Sequence, residues 1–206
     1  MRIDGFHPTT ELHDLGDIDP RWEGILSPTY SDEVVRQHIH DQFLDDASTY
    51  VDRYQNMDHW KGLMEKARPH LGFEHEDPLA VLDIGSGAGN TVFPTMELYP
   101  RARIAATDLS LPLLAALRDR HRASNPTHDC TPIQMNAEDL LFEESSIDLV
   151  VGGSILHHLI APGNTLAECC RVLKPSRGKA VFFEPFELGH KLIALGLEQL
   201  IELNSS

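Results

Sequence analysis

The 206-residue chain has little cysteine, a shortage of positive charge and no long apolar run, and each shortage removes a class of function. Three cysteines, two of them adjacent at Cys169 and Cys170, cannot build a disulfide framework and read as reduced thiols of a protein expected in the cytoplasm. Seventeen Lys and Arg stand against 32 Asp and Glu, a formal net charge of -15 at pH 7. That field repels phosphate backbones and anionic lipid headgroups, so neither nucleic acid nor a membrane is an expected partner. No stretch approaches the roughly 18 apolar residues of a membrane span, and the first residues, with Asp4 and no apolar run, do not read as a signal peptide. What is present suffices for one ordinary domain: 41% of residues are apolar and 24% charged.

Residues 1–30 carry three prolines and scattered acids without a sustained period, and are expected to form an irregular arm. From Ser31 apolar residues recur at helical spacing (Val34, Val35, Ile39, Phe43, Ala47, Tyr50, Val51, Tyr54), with Ser31 as N-cap. A second helix is expected over His59–His70, so that residues 31–76 form a helical cap. From residue 77 to 206 the texture becomes strand, turn and helix in alternation. The expected strands are Ala80–Ile84, Arg103–Thr107, Thr131–Met135, Ile147–Gly152 and Lys179–Phe183. Helices are expected over Asn90–Tyr99, Leu111–Ser124, Pro162–Leu173 and Leu188–Leu203. Short, nearly continuous apolar strands alternating with helices describe an α/β fold, a doubly wound Rossmann-like parallel sheet flanked by helices. Ligands of such sheets sit outside the carboxyl ends of the strands, at the point where strand order reverses.

The segment Val81-Leu82-Asp83-Ile84-Gly85-Ser86-Gly87-Ala88-Gly89-Asn90 runs from a buried strand through a glycine turn into a helix. Such a turn lets the backbone approach a ligand closely, and the helix start offers free N–H groups. The dinucleotide fingerprint G-x-G-x-x-G/A would require Gly or Ala where Asn90 stands. Asp83, two residues before the first glycine, would repel a pyrophosphate but suits an ammonium or sulfonium ligand, and S-adenosylmethionine is one. At the end of the next strand Asp108 can accept hydrogen bonds from ribose hydroxyls, with Leu109 against the adenine face.

In the order VLDIGSGAGN, ATDLS, NAEDLLFEESSIDLVVGGSILHHL and RVLKPSRGKAVFFEPF, the chain resembles the class I S-adenosylmethionine-dependent methyltransferases, in particular the small-molecule group similar to ubiquinone/menaquinone methyltransferases. The resemblance covers about residues 79–186. It implies S-adenosylmethionine as cofactor, with Asp83, Gly85, Ser86, Gly87 and Gly89 at its methionine end and Asp108 at the ribose. It also implies that Asn136 and Ala137 contact the adenine edge, Asn136 replacing the more usual Asp, and that the backbone of Ser154 faces the methionine end. A small-molecule acceptor is the implied partner.

Methyl transfer from a sulfonium is an in-line displacement, so the protein chiefly aligns acceptor, methyl and sulfur and excludes water. His157 and His158 are the candidates for a base toward the acceptor, the other reading being packing or orientation. Glu184 and Glu187 lie within reach of the same pocket or are surface charges. His38, His40 and Asp41 superficially suggest a metal, but helical residues two apart do not share a face, and no metal site is expected. The family fold places two further strands after the helix that follows the fifth strand, whereas this chain ends at Ser206. The expectation is a C-terminally truncated fragment, or a shortened fold that binds cofactor without turnover. The apolar helix Leu188–Leu203 would then meet a second copy or a downstream domain.

Overall fold

The computed structural model describes residues 6–39, Thr49, 56–124 and 128–185. Seven strands form one sheet: β1 (His13–Asp14), β2 (Leu26–Ser27), β3 (Ala80–Ile84), β4 (Arg103–Asp108), β5 (Asp129–Gln134), β6 (Leu149–Gly153) and β7 (Lys179–Phe183). Their spatial order is β1-β2-β5-β4-β3-β6-β7, and every pairing except β1 with β2 is parallel. The chain steps outward from β3 through β4 to β5, then returns to the other side of β3 with β6. Strand order therefore reverses between β3 and β6, and a crevice opens at the carboxyl ends there.

Among the described residues these α-helices accompany the sheet: α1 (Asp32–His38), α2 (Met57–Leu71), α3 (Val92–Leu98), α4 (Leu111–Ser124) and α5 (Pro162–Val172). The strand period of two divides the core between two faces. Ala80, Leu82 and Ile84 pack on the face that holds Cys169 and Val172 of α5 and Phe142. Val81 and Val151 pack on the opposite face with Met64 of α2, Phe93 of α3 and Leu117 of α4. Both faces are covered, which is why β3 is buried at every residue. The register of β3 against β6 is reinforced by Asp148, whose Oδ2 accepts from the Ala80 amide at 2.9 Å and from Lys174 Nζ at 2.8 Å.

The five strands and the helices between them stand where the sequence pattern puts them, with shifts of one to two residues at several ends. The arm differs from expectation. Its residues extend the sheet through β1 and β2, because Phe6, Leu12 and Leu26 pack into the core beside Phe142, and Leu15 and Ile25 pack on Leu114. Two-residue strands carry no readable period, so this was invisible in the sequence. Ser31 caps α1, its side chain accepting from the Val34 amide, but α1 stops at His38, where Ile39 turns extended. Helix α2 is longer than expected, running from an Asn56 cap to Gly72, which takes a left-handed φ of 72°. Most of residues 40–55, with His40 and Asp41, and all of Leu188–Leu203 lie outside the described residues, as does Glu187. Among the described residues no helix is long and apolar enough to cross a membrane, and no group of three or more metal-ligating side chains occurs.

Candidate active site

The glycine turn is built for close approach. Gly85 has φ 62°, and a Cβ there would lie 2.5 Å from Ile155 Cδ1, so both conformation and space require glycine. At Gly89, with φ 96°, a Cβ would meet the Phe93 ring at 2.5 Å, which seats α3 against the turn. The Ser86 amide donates to the Thr107 carbonyl at 2.9 Å and ties the turn to β4. Beneath it Asp83 is 1% exposed, and neither carboxylate oxygen has a hydrogen-bond partner among the described residues. Ser86 Oγ and Asn90 Oδ1 are likewise buried without partners. Burial pushes the Asp83 carboxyl up to about 8, against the opposing pull of the Thr91 hydroxyl, which lies near without an aligned hydrogen bond; Asp108 adds a small further rise. A buried carboxyl with both oxygens unpaired is costly unless a donor or cation arrives to satisfy it.

Asp108 ends β4 at the lip of the crevice. Its Oδ2 accepts from the Gly87 amide and its Oδ1 from the Ser110 amide, both at 2.8 Å. Burial raises this carboxyl, and the two amides and that of Leu109 pull it back in part. Each oxygen keeps a lone pair, so the carboxylate can bridge the glycine turn and a vicinal diol at once. After β5, Asn136 Oδ1 accepts from the Glu138 amide at 3.0 Å, closing a turn that holds the Asn136 side chain in place.

These elements enclose an open cleft of about 730 Å³. Gly85, Gly87, Asp108, Leu109, Asn136, Ala137 and Ser154 line it, bringing together seven of the ten residues expected to hold cofactor. Asp83 lies beneath the turn and Ser86 and Gly89 belong to it, and these three do not line the cleft. Ser154, at φ 55°, donates its amide to the Phe183 carbonyl at 2.8 Å and locks β6 to β7 at the cleft wall.

The two histidines part company. His158 lines the cleft, while the His157 ring lies against it, tilted by 42° with centroids 4.0 Å apart, and hydrogen-bonds through Nδ1 to Glu184 Oε2 at 2.6 Å. Glu184 Oε1 also accepts from the amides of Ile155 and Leu156, both at 2.9 Å. Burial alone would raise the Glu184 carboxyl, but the His157 ring and these two amides outweigh it and hold it below the usual carboxylate range. Glu184 is therefore the anchor of the histidine turn and not a solvated surface charge. At the far end of that turn Glu138 Oε1 accepts from the Ile160 and Ala161 amides at 2.9 and 3.0 Å. Glu138 has no role that its local sequence reveals, because its partners lie more than twenty residues away. His38 and Ile39 also line the cleft.

Residues 81–176 match a family model described as a methyltransferase domain. The chain is 31% identical over 159 residues to a malonyl-[acyl-carrier protein] O-methyltransferase of Marinomonas, covering 77% of this chain and 55% of that protein. It thus spans little more than half the length of that curated relative. In fold it is similar to a candidate S-adenosyl-L-methionine-dependent methyltransferase of Methanococcus maripaludis, with a TM-score of 0.60 at 18% identity over 81% of this chain and 77% of that one. It is also similar to phosphoethanolamine N-methyltransferase 2 of Haemonchus contortus, solved with S-adenosyl-L-methionine, with a TM-score of 0.50 at 19% identity over 68% of this chain and 35% of that one.

Proposed function

Because the chain carries a methyltransferase domain of the class I S-adenosylmethionine-dependent type, we propose that it transfers the methyl group of this cofactor directly to a small-molecule acceptor. The observation that carries the reading is the orphaned Asp83 carboxyl behind a glycine turn that Asp108 holds open. The donor set fits the cofactor: a buried carboxylate for the methionine ammonium, a second for the ribose diol, and the Leu109, Asn136 and Ala137 walls for the base. Bound S-adenosylmethionine supplies a methyl group on a sulfonium that is its own leaving group.

The chain's own residues then have three tasks. Asp83, Gly85, Ser86, Gly87, Gly89 and Ser154 would hold the methionine end and Asp108 the ribose, beside the turn at residues 155–158. His158, which lines the cleft, accepts the acceptor's proton, and His157, held through Nδ1 by Glu184, positions it. His158 forms the wall against which the acceptor lies, and the cap residues His38 and Ile39 exclude water. The marine relative's acceptor is a malonyl group on a carrier protein; for this chain the class we propose is a small molecule whose reacting atom must lose a proton. The same reading holds that it takes no nucleic acid and works in the cytoplasm.

Calorimetry tests the cofactor half. One S-adenosylhomocysteine should bind per chain, and Asp108→Ala should weaken it by the roughly 1.5–3 kcal/mol of a charge-assisted hydrogen bond. Binding of NADH without binding of S-adenosylhomocysteine would refute the reading.

A further inference from the structure

The arm reaches the cleft through buried polar side chains that the cofactor reading does not use. Ser27 of β2 is fully buried, and its Oγ donates to Gln134 Oε1 at 3.0 Å. Gln134, 5% exposed at the end of β5, turns its other end inward, and Nε2 donates to the Leu109 carbonyl at 3.1 Å. The Thr29 amide donates back to Ser27 Oγ at 2.8 Å, which holds Thr29 at φ 69°. A β-branched residue rarely adopts that conformation, so the bend is maintained against its own preference. The bend carries Tyr30 to the β5 end, where its hydroxyl accepts from the Asn136 amide at 3.3 Å.

Leu109 and Asn136 are two of the three residues assigned to the base. A second, open groove adjoins the cleft and is lined by Tyr30, Gln134, Leu109, Trp22 and Val35. Leu109 lines both the cleft and this groove and so stands between them. Its place is fixed in part by the Ser27–Gln134–Leu109 chain and the Tyr30–Asn136 bond.

We propose that Ser27, Tyr30 and Gln134 are positioning residues for the nucleoside end of the cofactor, setting the gap between Leu109 and Asn136 and with it the preference for adenine. The inference rests on the cofactor reading above. Asn136 Oδ1 spends one lone pair on the Glu138 amide; the other suits the adenine amino group and repels a carbonyl at the same position. That discrimination depends on where the Asn136 backbone is held, and Tyr30 holds it from the arm.

The experiment measures the affinities of S-adenosylhomocysteine and S-inosylhomocysteine, in which a carbonyl replaces the amino group, for the full chain and for Gln134→Met and Tyr30→Phe. The parent should prefer the adenine form about tenfold. Each variant should bind S-adenosylhomocysteine about 3- to 10-fold more weakly, the worth of one hydrogen bond, and its preference should shrink to about twofold. Phe142→Leu, a core change away from the cleft, should lower the melting temperature and leave the preference intact. A parent that binds S-adenosylhomocysteine, with variants that keep the full preference, would overturn the positioning role and leave the cofactor reading standing. A parent that binds neither ligand would overturn both. Tyr30→Phe removes a single hydroxyl from a partly exposed ring, so the question stays answerable if Gln134→Met does not fold.

Discussion

Replacing Asp83 with asparagine should stabilise the ligand-free protein while weakening cofactor binding. In the folded chain this carboxyl is raised from 3.8 to about 8 by burial. It therefore holds its proton between about pH 4 and pH 8, where the unfolded chain has released it. The folded state binds more protons over that interval, so stability is full at low pH and declines as pH rises toward 8. Each pH unit climbed within that interval costs about 1.4 kcal/mol, so by pH 7 the decline amounts to roughly 4 kcal/mol, or roughly 2 kcal/mol when halved for relaxation around the site. Asparagine has no proton to lose, so Asp83→Asn should melt on the order of 5 °C higher at pH 7 and lose that advantage near pH 4. A cationic ligand reverses the preference by favouring the carboxylate. Calorimetry in buffers of different ionisation enthalpy should show about one proton released per S-adenosylhomocysteine bound at pH 6–7, with affinity rising about tenfold per pH unit up to about 8. The variant should show no release at Asp83 and a 10- to 100-fold weaker complex, as expected for roughly 1.5–3 kcal/mol. A variant that melts lower at pH 7, or a parent with pH-independent affinity and no proton release, would refute the argument.

Once an acceptor is in hand, Glu184→Gln and His157→Asn should each lower turnover about 10²-fold or more with S-adenosylhomocysteine affinity unchanged, and equal loss of affinity would assign both to folding. Gly85→Ala places a Cβ 2.5 Å from Ile155 at a left-handed φ; it should cost about 1–3 kcal/mol in denaturant unfolding and weaken cofactor binding, because Ile155 opens the histidine turn. Asp148→Ala removes the acceptor for the Ala80 amide and Lys174; urea melts should show a loss of roughly 2 kcal/mol with the cofactor preferences intact.

Local sequence determines the glycine turn, the two carboxylates that end β3 and β4, and the five principal strands. Each is written in adjacent residues: an apolar run long enough for one strand, then glycines where only glycine fits, then a helix start. The same locality placed Asp108, Leu109, Asn136 and Ala137 at the strand ends, where a parallel sheet puts its ligands. Partners far apart in the chain are a different matter. Glu184 anchors the histidine turn from 27 residues away, and Glu138 binds its other end across 22. Ser27 meets Gln134 across 107 residues. Hydrogen bonds of this reach leave no period or spacing in the sequence, because the two residues become neighbours only when separate strands pair. The arm is the clearest case: β1 and β2 are too short to show alternation, and they exist because Phe6, Leu12, Leu15, Ile25 and Leu26 find a sheet edge and α4 to cover. The glycine turn and the carboxylate beneath it were thus legible in a dozen consecutive residues. Which histidine is held, by which carboxylate, and what adjoins the base-binding wall were settled by packing among segments that the chain keeps far apart.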